Sequence, residues 1–364
     1  MEIKYSVAVR CTTFNHAEYI KETMDGFCIQ RTSFPFICII IDDASTDGEP
    51  EIIKRYLTSN FDINDRKIAY SEETDDYELF FAQHKDNRNC FFAIILLKYN
   101  HYSINKSKID YYEKWKDIEY MAICEGDDYW ISPDKLQKQV SFLDNNRNYT
   151  MTCNRTLLFS EKYNKIVGVN YCYKKSKKLS VRDVICRRGL FISTCSIVVR
   201  KSVSDNKPDY WSSLPFGDYP LQIASVMKGN GWYFNEPMSV YRIDNPNSWM
   251  GTHNYPMGGA DPEILRLSKV TIQMLKGFAK DYPQYSKYFN DRIADEINKY
   301  IPPRKVSRQE VKAYLNLFKE DIKHYTLRWK IDLLCRKCRI PYGRHIYQKL
   351  FTRRNQPHNL WYKE

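Results

Sequence analysis

Cys124-Glu125-Gly126-Asp127-Asp128-Tyr129-Trp130 is the stretch whose reading decides the fold. The apolar run Met121-Ala122-Ile123-Cys124 leads into it, and three carboxylates follow within four residues. Ser132-Pro133-Asp134 then opens a helix: Ser caps, Pro suits the first helical position and Asp faces the positive end of the dipole. A buried strand therefore delivers adjacent carboxylates to its C-terminal tip, where open α/β sheets bind ligands. Neighbouring acids resist ionising together unless water or a cation relieves them. A hard divalent ion that also holds phosphate oxygens is the usual relief. A solvated acidic loop is the plain alternative.

Composition bounds the rest. The 364 residues suffice for one large or two ordinary domains, and 43% hydrophobic against 27% charged residues describes a globular chain. Met1-Glu2-Ile3-Lys4 runs into a strand-like segment without a targeting pattern. The longest strictly apolar runs, 36–41 and 90–97, are too short to span a bilayer. The eleven cysteines are odd in number and sit mostly in apolar segments, which favours reduced thiols in a cytoplasmic protein. Charge is uneven: residues 1–256 hold 33 basic and 33 acidic side chains, whereas 257–364 hold 23 against 11. That asymmetry predicts a main domain over 1–256 and a basic helical region over 257–364, with different partners.

Tyr5–Thr13 and Phe36–Ile41 read as strands, each followed by a helical pattern, and Asn15 with Glu18 resembles a capping box. The alternation predicts a doubly wound, mostly parallel sheet with helices on both faces. Asp42-Asp43 ends the second strand much as Asp127-Asp128 follows the later one, so both pairs can line one crevice. One carboxylate can accept from a base imide N–H or ribose hydroxyls while another holds metal, which favours a nucleotide diphosphate bound through a cation. Neither GxGxxG after the first strand nor GxxxxGK[ST] is present, so dinucleotide redox and P-loop chemistry are poor candidates.

These residues carry a resemblance. Cys11-Thr12-Thr13-Phe14-Asn15-His16, Ile41-Asp42-Asp43-Ala44-Ser45-Thr46-Asp47-Gly48 and Glu125-Gly126-Asp127-Asp128-Tyr129-Trp130, with Gly217-Asp218-Tyr219-Pro220-Leu221 and Met238-Ser239-Val240-Tyr241-Arg242, resemble in order the motifs of family 2 glycosyltransferases with the GT-A fold. The resemblance covers roughly residues 5–250. It implies that Thr12, Phe14 and Asp43 surround the base, with Asp43 accepting from a uracil imide if the donor is a UDP-sugar. It implies that Asp127 approaches the ribose and that Asp128 coordinates Mn²⁺ or Mg²⁺. Between Glu72 and Asn89 a cation, Arg88 ahead of Lys85, meets the diphosphate, because a guanidinium grips two phosphate oxygens. Asp244 stands where the family often has a further metal-binding or phosphate-facing residue, with His253 as its alternative, and Trp249 walls the sugar pocket or packs structurally. Asp218 reads as a cap from its position alone, and as general base by the resemblance.

The implied activity is a metal-dependent, inverting transfer of sugar from a nucleotide diphosphate to a hydroxyl of a glycan or lipid-linked acceptor, of bacterial surface-polysaccharide type. A nucleotidyltransferase and a non-enzymatic basic membrane module are the rivals. From Tyr325 to Arg354 nine basic residues face one acid, interleaved with Trp and Leu. That mixture suits an anionic membrane surface, hence a peripheral place on the inner face, or equally a packed helical appendage. No nucleic-acid motif is present. Cys335-Arg336-Lys337-Cys338 lacks a second ligand pair and reads as structural thiols.

Overall fold

The computed structural model describes residues 4–187, 189–212, 217–245, 262–299, 307–337 and 360–361. The apolar runs become the centre of a sheet. β1 (Val7–Thr13) and β2 (Phe36–Asp42) run parallel, flanked by β5 (Cys90–Leu97) beyond β2 and β6 (Tyr120–Ile123) beyond β1. Strands buried on both faces read as continuous apolar runs rather than alternating ones, and β2 and β5 are buried at every position. The hairpin β3 (Tyr70–Glu73) and β4 (Tyr77–Gln83) extends this edge antiparallel to β5. On the other side β11 (Val198–Arg200) lies antiparallel between β6 and β8 (Tyr149–Ser160), and β8 pairs in parallel with β12 (Asn230–Ile243). β7 (Tyr129–Trp130), directly after the acidic motif, pairs antiparallel with β12.

Odd residues of β1 (Val7, Val9, Cys11) join a core under α1 (Ile20–Cys28) and α4 (Lys135–Asn145), while Ala8 joins Ile37, Ile39 and Ile41 on the opposite face with Tyr112 of α3 (Ile109–Glu113). Four parallel strands therefore end together, and whatever follows them meets at one edge. Among the described residues every cysteine is an unbridged thiol.

Two expected caps are not formed. α1 starts at Ile20 without a side-chain cap; Asn15 instead takes a left-handed φ of 55° and accepts from the Thr46 N–H at 2.8 Å. α4 likewise begins at Lys135 without a side-chain cap from Ser132 or Asp134. Elsewhere Ser180 caps its helix by accepting from Asp183 N–H, and Ser307 forms a reciprocal capping box with Glu310. At Asn15 the polar side chain is drawn to the neighbouring 42–48 loop instead.

The C-terminal helices α8 (Pro262–Asp281), α9 (Ser286–Lys299), α10 (Arg308–Leu317), α11 (Lys319–Lys323) and α12 (Leu327–Lys337) do not stand apart. Phe278, Phe289 and Trp329 enter the same core cluster as Met121 of β6 and Tyr219 of α7 (Asp218–Lys228). The boundary near Pro256, with Trp249 and His253, lies outside the described residues, as does the basic stretch 338–354. Of the described tail, Tyr325 and Trp329 face inward, while Leu327, Lys330, Leu334 and Lys337 share the exposed face of α12. The Trp329 indole also donates to Asp291 at 2.7 Å. Trp329→Ala should therefore lower stability by about 3–5 kcal/mol in urea unfolding, whereas Leu327→Ala should stay within about 0.5 kcal/mol. Equal, small effects would mean the helix is not seated in the core.

Candidate active site

The tip of β6 is folded back onto β1. Cys124 N–H donates to Arg10 O and Gly126 N–H to Thr12 O, both at 3.1 Å, and the Thr23 hydroxyl bonds Gly126 O and Asp128 O from α1. A Cβ on Gly126 would overlap the Thr13 side chain, so this approach requires glycine. The turn gathers Glu125, Asp127 and Asp128, each offering a carboxylate oxygen within 4.8 Å of the others.

Asp128 is buried. Its Oδ1 accepts from Arg242 N–H at 2.9 Å, and its Oδ2 has no hydrogen-bond partner among the described residues. Burial, then Asp127 and Glu125, push its carboxyl well above the usual range. Glu125 opens onto the cleft, yet the surrounding protein, Asp127 and Asp218 raise it to about 8. An orphaned buried carboxylate oxygen beside two more acids is a donor set suited to a hard divalent cation. Asp127 Oδ2 lies 3.8 Å from His16 Nε2, and burial lowers the imidazole.

Asp218 opens α7. Its carboxyl is raised by burial and drawn back by the Tyr219 and Asp218 N–H groups and the Thr194 hydroxyl. Because Asp218 also raises Glu125, the structure brings the expected base within electrostatic reach of the acidic group. Thr12 and Phe14 lie beside it: the Thr12 hydroxyl is 2.8 Å from Tyr112 Oη, and the Phe14 ring is 40% exposed.

Two assignments, Arg88 and Asp244, change. Asp43 accepts from His101 N–H at 2.8 Å, Tyr102 N–H at 3.2 Å and Lys108 Nζ at 2.7 Å, three donors for a carboxylate's four lone-pair sites. Arg88 pairs with Asp62 and precedes β5, at the far end of the parallel strands from the acids. Asp244, with a left-handed φ of 63°, is exposed, accepts from the Ser160 hydroxyl and is not in the acidic group. Lys108, after β5, does reach this end. The rule that had placed both aspartate pairs, ligand groups following parallel strands, applied to 98–108 as well and would have found it.

Two further residues, Arg242 and Glu49, support the site. Arg242 is buried, pairs with Glu22 and Glu161, and lies over the Tyr19 and Tyr129 rings at 4.8 Å each, so it braces the motif from β12. Glu49, first residue of α2 (Glu49–Asn60), is wholly buried and accepts from the Thr13 and Ser45 hydroxyls and His16 N–H. Burial raises its carboxyl to about 7, against those donors. Between pH 4.5 and 7 the unfolded chain would have lost this proton while the folded protein keeps it. Stability from this group is therefore greatest in acid and falls as pH rises through that window. Glu49→Gln should flatten this fall, by an amount of order 2–3 kcal/mol, read as denaturation midpoints at pH 5 and 7.5. Parallel pH profiles would remove Glu49 as the cause.

Known proteins share this architecture. Residues 9–74 match the family described as glycosyl transferase family 2. An uncharacterized protein of Mycobacterium tuberculosis, Rv1520, is 31% identical over 247 residues, 65% of this chain and 58% of that protein. An uncharacterized glycosyltransferase of Mycoplasma genitalium, MG025, is 24% identical over 179 residues, 49% of this chain and 44% of that protein. The chain thus spans about half the length of the curated relatives it matches. S. aureus TarS 1-349, crystallised with UDP-GlcNAc, superposes with a TM-score of 0.56 over 99% of both chains at 11% identity. With its parallel strands ending at an acidic turn, the chain has the GT-A fold of the family 2 glycosyltransferases.

Proposed function

We propose that this protein transfers a sugar from a nucleotide diphosphate to an acceptor hydroxyl, with inversion at the anomeric carbon. The observation that carries the reading is the buried, unpartnered Oδ2 of Asp128 grouped with Glu125 and Asp127 within reach of Asp218. Asp128 and its neighbours would hold Mn²⁺ or Mg²⁺, which when bound supplies positive charge to a departing diphosphate. Phe14 offers a ring for the base to stack on, and Asp127 faces the ribose. Asp218 takes the acceptor proton as its oxygen attacks the anomeric carbon from the face opposite the leaving group. A single displacement inverts the configuration. Asp43 keeps one lone-pair site beyond its three donors, which suits the imide N–H of a uracil base. TarS has been crystallised with UDP and UDP-GlcNAc, which puts UDP-sugars first in a donor screen.

The acceptor is a glycan or lipid-linked hydroxyl of surface-polysaccharide type. In this reading residues 1–256 are the transferase domain and 257–364 a basic helical region that meets the inner membrane face. The alternation of Leu327, Lys330, Leu334 and Lys337 on the exposed face of α12 favours that contact. Among the described residues no helix is long and apolar enough to cross a membrane. Sedimentation with anionic vesicles should be strong at low salt and lost at high salt, and Leu327→Ser with Leu334→Ser should weaken it. Equal sedimentation with neutral vesicles would reject the reading.

Activity should appear as Mn²⁺-dependent release of nucleoside diphosphate from one nucleotide-sugar; release of pyrophosphate would indicate a nucleotidyltransferase. Asp128→Asn should abolish turnover and weaken Mn²⁺-dependent nucleotide binding. Asp218→Asn should cut turnover by about 10²–10⁴ while donor affinity stays near wild type. Gly217, not Asp218, holds the N-cap position of α7, so near-normal turnover in Asp218→Asn would leave Asp218 a first-turn residue and no base.

A further inference from the structure

The turn that follows β1 fixes one side chain firmly and leaves half of its bonding capacity unused. His16 Nδ1 lies 3.2 Å from the Thr13 hydroxyl, which itself donates to the buried Glu49 carboxylate. That carboxylate also accepts the His16 N–H at 2.9 Å, so ring and backbone are tied to one group. On either side, Asn15 N–H donates to Ser45 Oγ at 2.8 Å and Ala17 N–H to Asp47 at 2.9 Å. The Tyr19 ring stands 6.1 Å away, and a Cβ on Gly126 would come within 3.2 Å of Nδ1, which shows how closely the ring is packed. The other ring nitrogen, Nε2, makes no hydrogen bond among the described residues; it faces Asp127 Oδ2 across 3.8 Å, beyond hydrogen-bond length. The Asp127 carboxylate is likewise unbonded among them. The two side chains are only 11% and 14% exposed. Two polar groups thus face one another, nearly out of water, at a distance where neither satisfies the other.

We infer that His16 is a further donor-binding residue: its Nε2 and the Asp127 carboxylate take adjacent ribose hydroxyls of the nucleotide, one each, and so select ribonucleotides over deoxynucleotides. The inference rests on the nucleotide-sugar reading, in which Asp127 faces the ribose. Hydroxyls suit this pair better than the other groups a nucleotide carries. A carboxylate only accepts, so it needs a donor. An imidazole nitrogen accepts or donates according to its tautomer, and a hydroxyl does both, so either tautomer is served. A phosphate oxygen would meet the Asp127 carboxylate with like charge. Each hydroxyl needs about 2.8 Å to its own partner, and adjacent hydroxyls project side by side, as these two groups do. His16 stands outside the three-carboxylate group that would hold the cation, so its nitrogen is not claimed by that group. Glu49 and Thr13 hold the ring before any nucleotide arrives, so little rotamer freedom is lost on binding.

The test is calorimetry on the full chain in Mn²⁺ with UDP, GDP and the 2′-deoxy and 3′-deoxy forms of each. For whichever base binds, the wild type should lose about five- to twentyfold in affinity with at least one deoxy form. His16→Asn keeps a polar atom near the Nδ1 place, toward Thr13, and lacks the more distant one. It should weaken the ribonucleotide by a similar factor while leaving that deoxy form almost unchanged. His16→Gln, whose amide reaches the Nε2 place, should restore most of the preference. Two results overturn the inference: a wild type indifferent to both hydroxyls, or a loss in His16→Asn that is equal for all three sugar forms. The second is what a purely structural ring predicts. If His16→Asn does not fold, His16→Phe, which keeps a ring and removes both nitrogens, takes its place. A wild type that binds neither UDP nor GDP would end the nucleotide reading and this inference together, whereas binding without hydroxyl preference ends only the inference.

Discussion

The site depends on one contact, the hydrogen bond from the Arg242 N–H to the buried Oδ1 of Asp128. A carboxylate taken out of water must be met by donors or neutralised. Only one of its two oxygens is met by the described residues, and the other is buried without a hydrogen-bond partner among them. For that N–H to arrive, β12 must lie in register with β7, Val240 opposite Tyr129 and Ser239 opposite Trp130. The Arg242 guanidinium secures this register by pairing with Glu22 of α1 and Glu161 after β8. Three distant parts of the chain are thus fixed to a single carboxylate.

The second half of the chain acts on the site through α7. Asp218 stands at the start of that helix, and the helix packs into the core that holds Phe278, Phe289 and Trp329. Arg292 of α9, wholly enclosed and paired with Glu296, lies 6.0 Å over the Tyr219 ring, one residue beyond Asp218. The described C-terminal helices therefore buttress the residue proposed to receive the acceptor proton. Apart from the enclosed Arg292, the described cations of these helices are exposed or half-exposed, and their apolar side chains complete the core.

Legibility in the sequence followed the range of the forces involved. The apolar runs 36–41 and 90–97 and the acids at 127–128 were readable because strand burial and the rule that ligands meet strand ends need only local pattern. The charge of Arg88 is legible but its place is not: it precedes β5, whereas Lys108 follows it. Asn15 fits a cap by its spacing from Glu18. Its amide oxygen found the Thr46 N–H of a neighbouring loop instead, a contact no local window contains. Asp244 follows Arg242 by two residues, yet a left-handed turn sends it to Ser160, away from the acids.

By itself the sequence determined the alternation of strands and helices, the parallel core, and the acidic turn with its glycine. These depend on periodicity, burial of apolar runs and backbone sterics, which act over a few residues. Tertiary structure alone decided which polar groups are engaged. Asp43 and Asp128 end equivalent strands and look alike in the chain, but Asp43 is enclosed by a loop 58 residues away, whereas Asp128 keeps an oxygen unpartnered among the described residues. Hydrogen bonds and ion pairs saturate, so a carboxylate's role is set by whichever donors the fold brings to it first.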